Sequence, residues 1–214
     1  MNNLVLIFDF DGTIADTHHY ICHIGNMMCD EFGFSPIKFD ELPVLRHKST
    51  EEIIRYLKVP LLKIPAIVAR GKRELEKNIN ELKSFQGLRD VLLTLKANVE
   101  KIGILSSNSS QNIKTFLEIN QMQFFDFIHT TPKIWSKDHS LTDLLKKNGF
   151  EKERMIYVGD EIRDILSARK VGIRTASVTW GYNSREVLQS HSPDYLLDAP
   201  LDLLKICEPF SVVL

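Results

Sequence analysis

Short apolar runs recur along the chain, each bounded by polar or turn-forming residues and most of them separated by stretches with helical spacing. The runs Leu4–Phe8, Ile102–Leu105, Phe125–His129, Met155–Val158, Thr175–Val178 and Tyr195–Leu197 read as strands. Between them, Leu88, Val91, Leu92 and Leu95 form one helical stripe, Ser109 or Ser110 can cap a helix running to Ile119, and Leu141, Leu144 and Leu145 mark another. Parallel strands need long crossovers, usually helices, so this alternation predicts an α/β fold: a three-layer Rossmann-like core around a parallel sheet.

One interval breaks the rhythm. From Asp16 to Lys83 the pattern is helix and loop with no convincing strand, punctuated by Gly33, Pro36, Pro43, Pro60 and Pro65. Within it, Ser49-Thr50-Glu51-Glu52 is a capping box opening an amphipathic helix. The expected organisation is a core of residues 1–15 and 84–214, with residues 16–83 inserted after the first strand as a small helical cap.

Composition narrows the function classes. At 214 residues the chain suits one domain with an insertion, and 43% hydrophobic with 26% charged residues is ordinary globular composition. A formal charge of −1 offers no general attraction to nucleic acid or to an anionic membrane, so neither is an expected partner. Cys22, Cys29 and Cys207 show no C-x-x-C spacing, and Leu4–Phe8 is too short for a signal h-region or a membrane span. A soluble cytoplasmic protein, monomer or dimer, is expected.

The chemistry-bearing residues stand where apolar runs end. Phe8-Asp9-Phe10-Asp11-Gly12-Thr13 follows the first run, and acids at i and i+2 beside a glycine turn can place one oxygen on a metal or phosphorus while the other handles a proton. Gly159-Asp160-Glu161 with Asp164 follows the fourth run, with Asp164 about one turn into the next helix. Ser106-Ser107-Asn108 follows the second. Parallel strands bring their carboxyl ends to one edge, where ligands bind. Three polar clusters on that edge predict one shared site. Asp9, Asp11, Asp160, Glu161 and Asp164 would carry five negative charges, and unit charges about 4 Å apart repel by roughly 4 kcal/mol at an effective dielectric near 20, so a divalent cation is expected. Oxygen ligands without a His/Cys cluster suit Mg²⁺ rather than zinc.

These motifs resemble those of the haloacid dehalogenase-like superfamily of phosphohydrolases. The D-x-D-G-T pattern from Asp9 to Thr13, Ser106, Lys137 and Gly159–Asp164 occur in the family's order, across about Leu4 to Leu204 outside the insertion. Gly159–Ile165, Gly172-Ile173, Thr179-Trp180-Gly181-Tyr182 and Pro193-Asp194-Tyr195 look like the phosphoglycolate phosphatase-like branch. Ser136-Lys137-Asp138-His139 departs from the common K-P-x-P form, and Lys133 lies close by.

The resemblance implies a role for each matching position. Asp9 would attack phosphorus; Asp11 would serve as acid and then base; Asp9, the main-chain carbonyl of Asp11, and Asp160 would hold Mg²⁺; Ser106 and Lys137 would hold phosphoryl oxygens; Glu161, Asp164, Ser107, Asn108 and Thr13 would support them. The implied activity is hydrolysis of a small phosphorylated metabolite, with 2-phosphoglycolate the first candidate. The alternatives are a β-phosphoglucomutase-like phosphotransferase and a non-catalytic module keeping the fold. Arg46, His47 and Lys48, or Arg70, Lys72 and Arg73, could meet an anionic leaving group but also suit a solvated surface. His18, His19 and His23 suit helix-surface or hinge positions, with His23 facing the cavity only as an option; Trp180 and the Phe124, Phe125, Phe127 group read as packing residues.

Overall fold

The computed structural model describes residues 2–131 and 137–207. Six strands form a single parallel sheet: β1 (Asn2–Phe8), β2 (Val99–Ser106), β3 (Phe127–Thr130), β4 (Met155–Gly159), β5 (Arg174–Val178) and β6 (Tyr195–Leu197). Their order is β3-β2-β1-β4-β5-β6, so the chain winds outward on one side of β1 and then on the other, with the switch between β1 and β4. The central strands read as continuous apolar runs because both their faces are covered: Leu6 and Phe8 pack into one hydrophobic cluster, Val5 and Ile7 into a second on the opposite face.

Helices α1 (His18–Phe32), α2 (Leu42–Leu45), α3 (Thr50–Tyr56) and α4 (Ile64–Lys77) follow β1 before α5 (Leu88–Asn98) leads into β2. The remaining crossovers carry α6 (Ser110–Ile119), α7 (Lys137–Asn148), α8 (Ile162–Val171) and α9 (Arg185–Ser190). The expected stripe of α5 is buried as Leu88, Val91, Leu92 and Leu95, behind Gly87 at φ +77°. Ser109, not Ser110, caps α6, its hydroxyl accepting from the Asn112 amide. The expected box at Ser49–Glu52 closes reciprocally at the head of α3.

Several boundaries moved; β1 and β2 start earlier than expected, at Asn2 and Val99. The strand expected at Phe125–His129 begins two residues later, because Phe124 and Phe125 stack on each other and Phe125 sets its ring edge-on to Phe8, so those residues pack before the ladder starts. Lys137, expected just before a helix, is the first residue of α7. Lys133 and Ser136 lie outside the described residues. Between Asp16 and Lys83 the described residues form helices and turns, and the two ends of that segment meet: the Asp16 amide donates to the Lys83 carbonyl at 2.9 Å, and Ala15 bridges antiparallel to Ser84. Among the described residues no helix is long and apolar enough to cross a membrane.

Candidate active site

Register fixes where the polar clusters emerge. Phe8 pairs with Ile104 on one side and Val158 on the other, so Asp9, Ser106 and Asp160 leave three adjacent strands at one rim beside the switch point. The Asp9 amide continues the ladder onto the Val158 carbonyl at 2.8 Å, which holds the first turn against the fourth strand.

Carboxylate oxygens of Asp9, Asp160 and Asp164 lie within 4.8 Å of one another, all three residues buried. Lys137, 1% exposed, donates from Nζ to Asp9 Oδ2 at 2.5 Å and to Asp164 Oδ1 at 2.6 Å. The second Asp9 oxygen accepts from the Phe10 amide, and the second Asp164 oxygen from the Glu161 amide, where it closes the N-terminal box of α8. Asp160 accepts from the Thr13 hydroxyl and the Tyr182 amide, both at 2.7 Å. Two glycines permit this closeness: a Cβ on Gly12 would stand 2.2 Å from Asp160 Oδ2, and one on Gly181 would stand 2.3 Å from Asp160 Cβ.

Asp11 stands two residues along, its carboxylate accepting from Asn108 Nδ2 at 3.2 and 3.3 Å. Asn108 is fixed in turn, since its side-chain oxygen accepts from the Ser109 amide and Asn112 Nδ2, while its amide donates to the Ser106 hydroxyl. Ser106 is fully buried at the strand end, and Ser107 lines a cavity with Asp11.

Burial sets the electrostatics. It pushes Asp9 up to about 7 against the pull of Lys137, and raises Asp11 despite the Asn108 donor. Asp160 is pushed well above the usual carboxylate range by burial and then by Glu161, Asp164 and Asp9. Lys137, although buried, is held charged by Asp164 and Asp9. With all three carboxylates ionised, the cluster around one lysine carries two negative charges, and the donors are hard oxygens; this set fits a divalent cation of the magnesium type.

Glu161 is not one of the three gathered acids. Its carboxylate turns to Arg163 and accepts from the Thr50 hydroxyl at 3.0 Å, tying the core to α3. Arg163, which the motif reading gave no role, lines the cavity beside Asp11 and is held charged by Glu161 and Asp164 despite burial. Its signal was an arginine inside an acidic cluster. With it, five carboxylates face two cations, leaving three negative charges, or two once Asp11 is protonated.

Arg46 does not face the cavity as a free cation. Its guanidinium donates to the carbonyls of Thr179, Gly181 and Tyr182 at 3.1–3.2 Å, locking the insertion to the loop after β5. Asn183, also unassigned by motif, works from the other side: Nδ2 donates to the carbonyls of Arg46 and Lys48, while Oδ1 accepts from the Ile162 amide at the start of α8. His47 pairs with the Ser184 hydroxyl, and Lys48 lies over the Tyr56 ring. His18 lines the cavity and meets the Tyr182 ring edge-on, so the first histidine of the three faces the site. Trp180 packs as expected and also donates its indole N–H to the Thr13 carbonyl, bracing the first turn.

Residues 6–178 match the model of the haloacid dehalogenase-like hydrolase family. The chain is 36% identical over 201 residues to a phosphoglycolate phosphatase of Synechococcus elongatus, covering 94% of this chain and 95% of that one. It is 25% identical over 206 residues to a pyrophosphatase, PpaX, of Bacillus cereus, with 94% of each covered. A solved structure of a haloacid dehalogenase-like protein from Streptococcus pneumoniae shares the fold at TM-score 0.80 and 23% identity, over 97% of this chain and 100% of that one. The sheet order, the acids at its rim and these likenesses agree: the chain is a phosphatase of the haloacid dehalogenase-like hydrolase family.

Proposed function

We propose that this chain hydrolyses a small phosphate monoester, 2-phosphoglycolate first, through an aspartyl phosphate on Asp9, with Mg²⁺ as cofactor. One observation carries the reading: Lys137 joins Asp9 to Asp164 while Asp9, Asp160 and Asp164 converge, with the second acid of the D-x-D pair beside them. The likeness to a phosphoglycolate phosphatase over nearly the whole chain supports the substrate.

Asp9 and Asp160, with the main-chain carbonyl of Asp11, would hold Mg²⁺, and Thr13 and Asp164 would support them. When bound, the ion screens the phosphoryl charge and polarises its oxygens. A carboxylate oxygen of Asp9 attacks phosphorus in line as the ester P–O bond breaks, and Asp11 delivers its proton to the departing oxygen. Burial of Asp11 favours the protonated form that this step needs. Asp11 then takes a proton from water, whose oxygen attacks phosphorus and frees Asp9. Lys137, the Ser106 hydroxyl and the amides around Ser107 balance charge on the transferring group.

Residues 16–83 act as a cap, hinged where Ala15 and Ser84 pair and closing over Asp11 to exclude bulk water. The unpaired thiols of Cys22 and Cys29 suit a reducing cytoplasm.

The test is phosphate release from 2-phosphoglycolate, pyrophosphate, sugar phosphates, nucleotides and p-nitrophenyl phosphate, with Mg²⁺ and with EDTA. Metal-dependent turnover led by 2-phosphoglycolate is expected, and Asp9→Asn should lower it by about three orders of magnitude or more. Turnover that survives EDTA or Asp9→Asn would reject the mechanism, and transfer to a sugar phosphate in place of water would favour the phosphotransferase.

A further inference from the structure

A cavity of about 280 Å³ runs from Asp11 and Asn108 between α1 and α4, with Met28, Ile67 and Leu75 on its walls. Lys72 also lines it, carried by α4. The other cations considered for a leaving group are engaged or face elsewhere. Arg46 is spent on three carbonyls, His47 on Ser184, Lys48 on Tyr56, and Arg70 on Glu31 and Glu74. Arg73 is exposed and outside the cavity wall.

The position of Lys72 is tied to that of Asp11. Asn112 Nδ2 donates both to the Lys72 carbonyl at 3.2 Å and to Asn108 Oδ1 at 3.1 Å, and Asn108 donates to Asp11. An unbroken hydrogen-bonded path therefore spaces the backbone of Lys72 from the acid that meets the leaving oxygen. Burial depresses the amine, with Asp11 pulling it back up. A half-buried ammonium group beside the apolar walls of α1 and α4, with the polar groups of the cavity gathered at its Asp11 end, gains when an anion enters.

Resting on the phosphatase reading, we propose that Lys72 recognises the leaving half of the substrate, and that this half carries a compact anionic group, carboxylate or phosphate, next to the ester oxygen. The apolar side chains of α1 and α4 flank that contact, and esters with neutral leaving halves leave the ammonium group unmatched.

The test compares kcat/KM for 2-phosphoglycolate and pyrophosphate with that for 2-hydroxyethyl phosphate, which keeps the size of phosphoglycolate without its carboxylate. The unmodified enzyme should prefer the anionic esters. Lys72→Met should cut that preference about tenfold or more, through KM rather than kcat, and Lys72→Arg should restore part of it. The two anionic substrates show whether carboxylate or phosphate is the better fit. Arg73→Met controls for removal of a neighbouring charge and should leave the ratio alone. Lys72→Gln repeats the measurement if the methionine variant melts early. A preference that is absent, or unmoved in Lys72→Met and Lys72→Gln, overturns the assignment while phosphatase activity stands. An enzyme that releases phosphate from no ester, p-nitrophenyl phosphate included, sinks the phosphatase reading and this assignment with it.

Discussion

Gly12 and Asp160 are packed so closely that a single methyl group on the glycine would stand 2.2 Å from Asp160 Oδ2, and Gly12 has φ +77°, a conformation L side chains rarely adopt. Gly12→Ala therefore meets strain and collision together. It should lower unfolding stability by about 1–3 kcal/mol in urea titrations. Phosphate release should fall at least about tenfold, since Asp160 must move; an alanine variant with both properties intact would show that the turn yields freely.

Asn108 donates to both oxygens of Asp11 and thereby pulls its proton affinity down against burial. Asn108→Ala removes that pull, so the folded-state pKa of Asp11 should rise. Because Asp11 must be protonated to help the leaving group, the alkaline limb of the kcat/KM profile should move to higher pH. A limb that moves downward or stays in place would assign it to another group.

In metal-free protein, Asp9 rises to about 7 against an unfolded value near 4. The folded state therefore holds a proton that the unfolded state releases, and the contribution of Asp9 to stability falls as pH rises from about 4 to about 7. Burial lowers His18 and works in the opposite sense near its own range, so the informative quantity is the melting temperature of wild type minus that of Asp9→Asn in EDTA. That difference should decline between pH 5 and 7, and the stabilisation by added Mg²⁺ should grow over the same interval. A rising difference would mean that Lys137 outweighs burial.

The three carbonyls held by Arg46 lie in the Thr179–Tyr182 loop, which also supplies the Tyr182 amide to Asp160. Arg46→Met keeps the aliphatic stem and removes the fork, so it should cost about 1–3 kcal/mol of stability. Turnover of every ester should drop together, because Asp160 loses its brace whatever the leaving group. A change confined to anionic esters would instead mark Arg46 as a substrate contact.

The sequence by itself determined the strands, the parallel α/β class and the rim position of Asp9, Ser106 and Asp160. Those properties follow from local patterning: buried parallel strands must be apolar throughout, and residues just past their carboxyl ends share an edge whatever the rest of the chain does. It also marked Asp164 as one turn beyond Asp160, where a helix brings it back toward the same point. Tertiary structure alone decided which charges meet. Glu161 and Asp164 are three residues apart, yet one turns to Thr50 and Arg163 and the other to Lys137. The six basic residues weighed for a leaving group look alike in sequence, but the folded contacts commit Arg46 to carbonyls and leave Lys72 on the cavity wall. Such choices depend on distances between separate segments, from 27 residues apart for Lys137 and Asp164 to 136 for Arg46 and Tyr182, and a carboxylate or ammonium group takes its partner from that geometry, which no local pattern encodes.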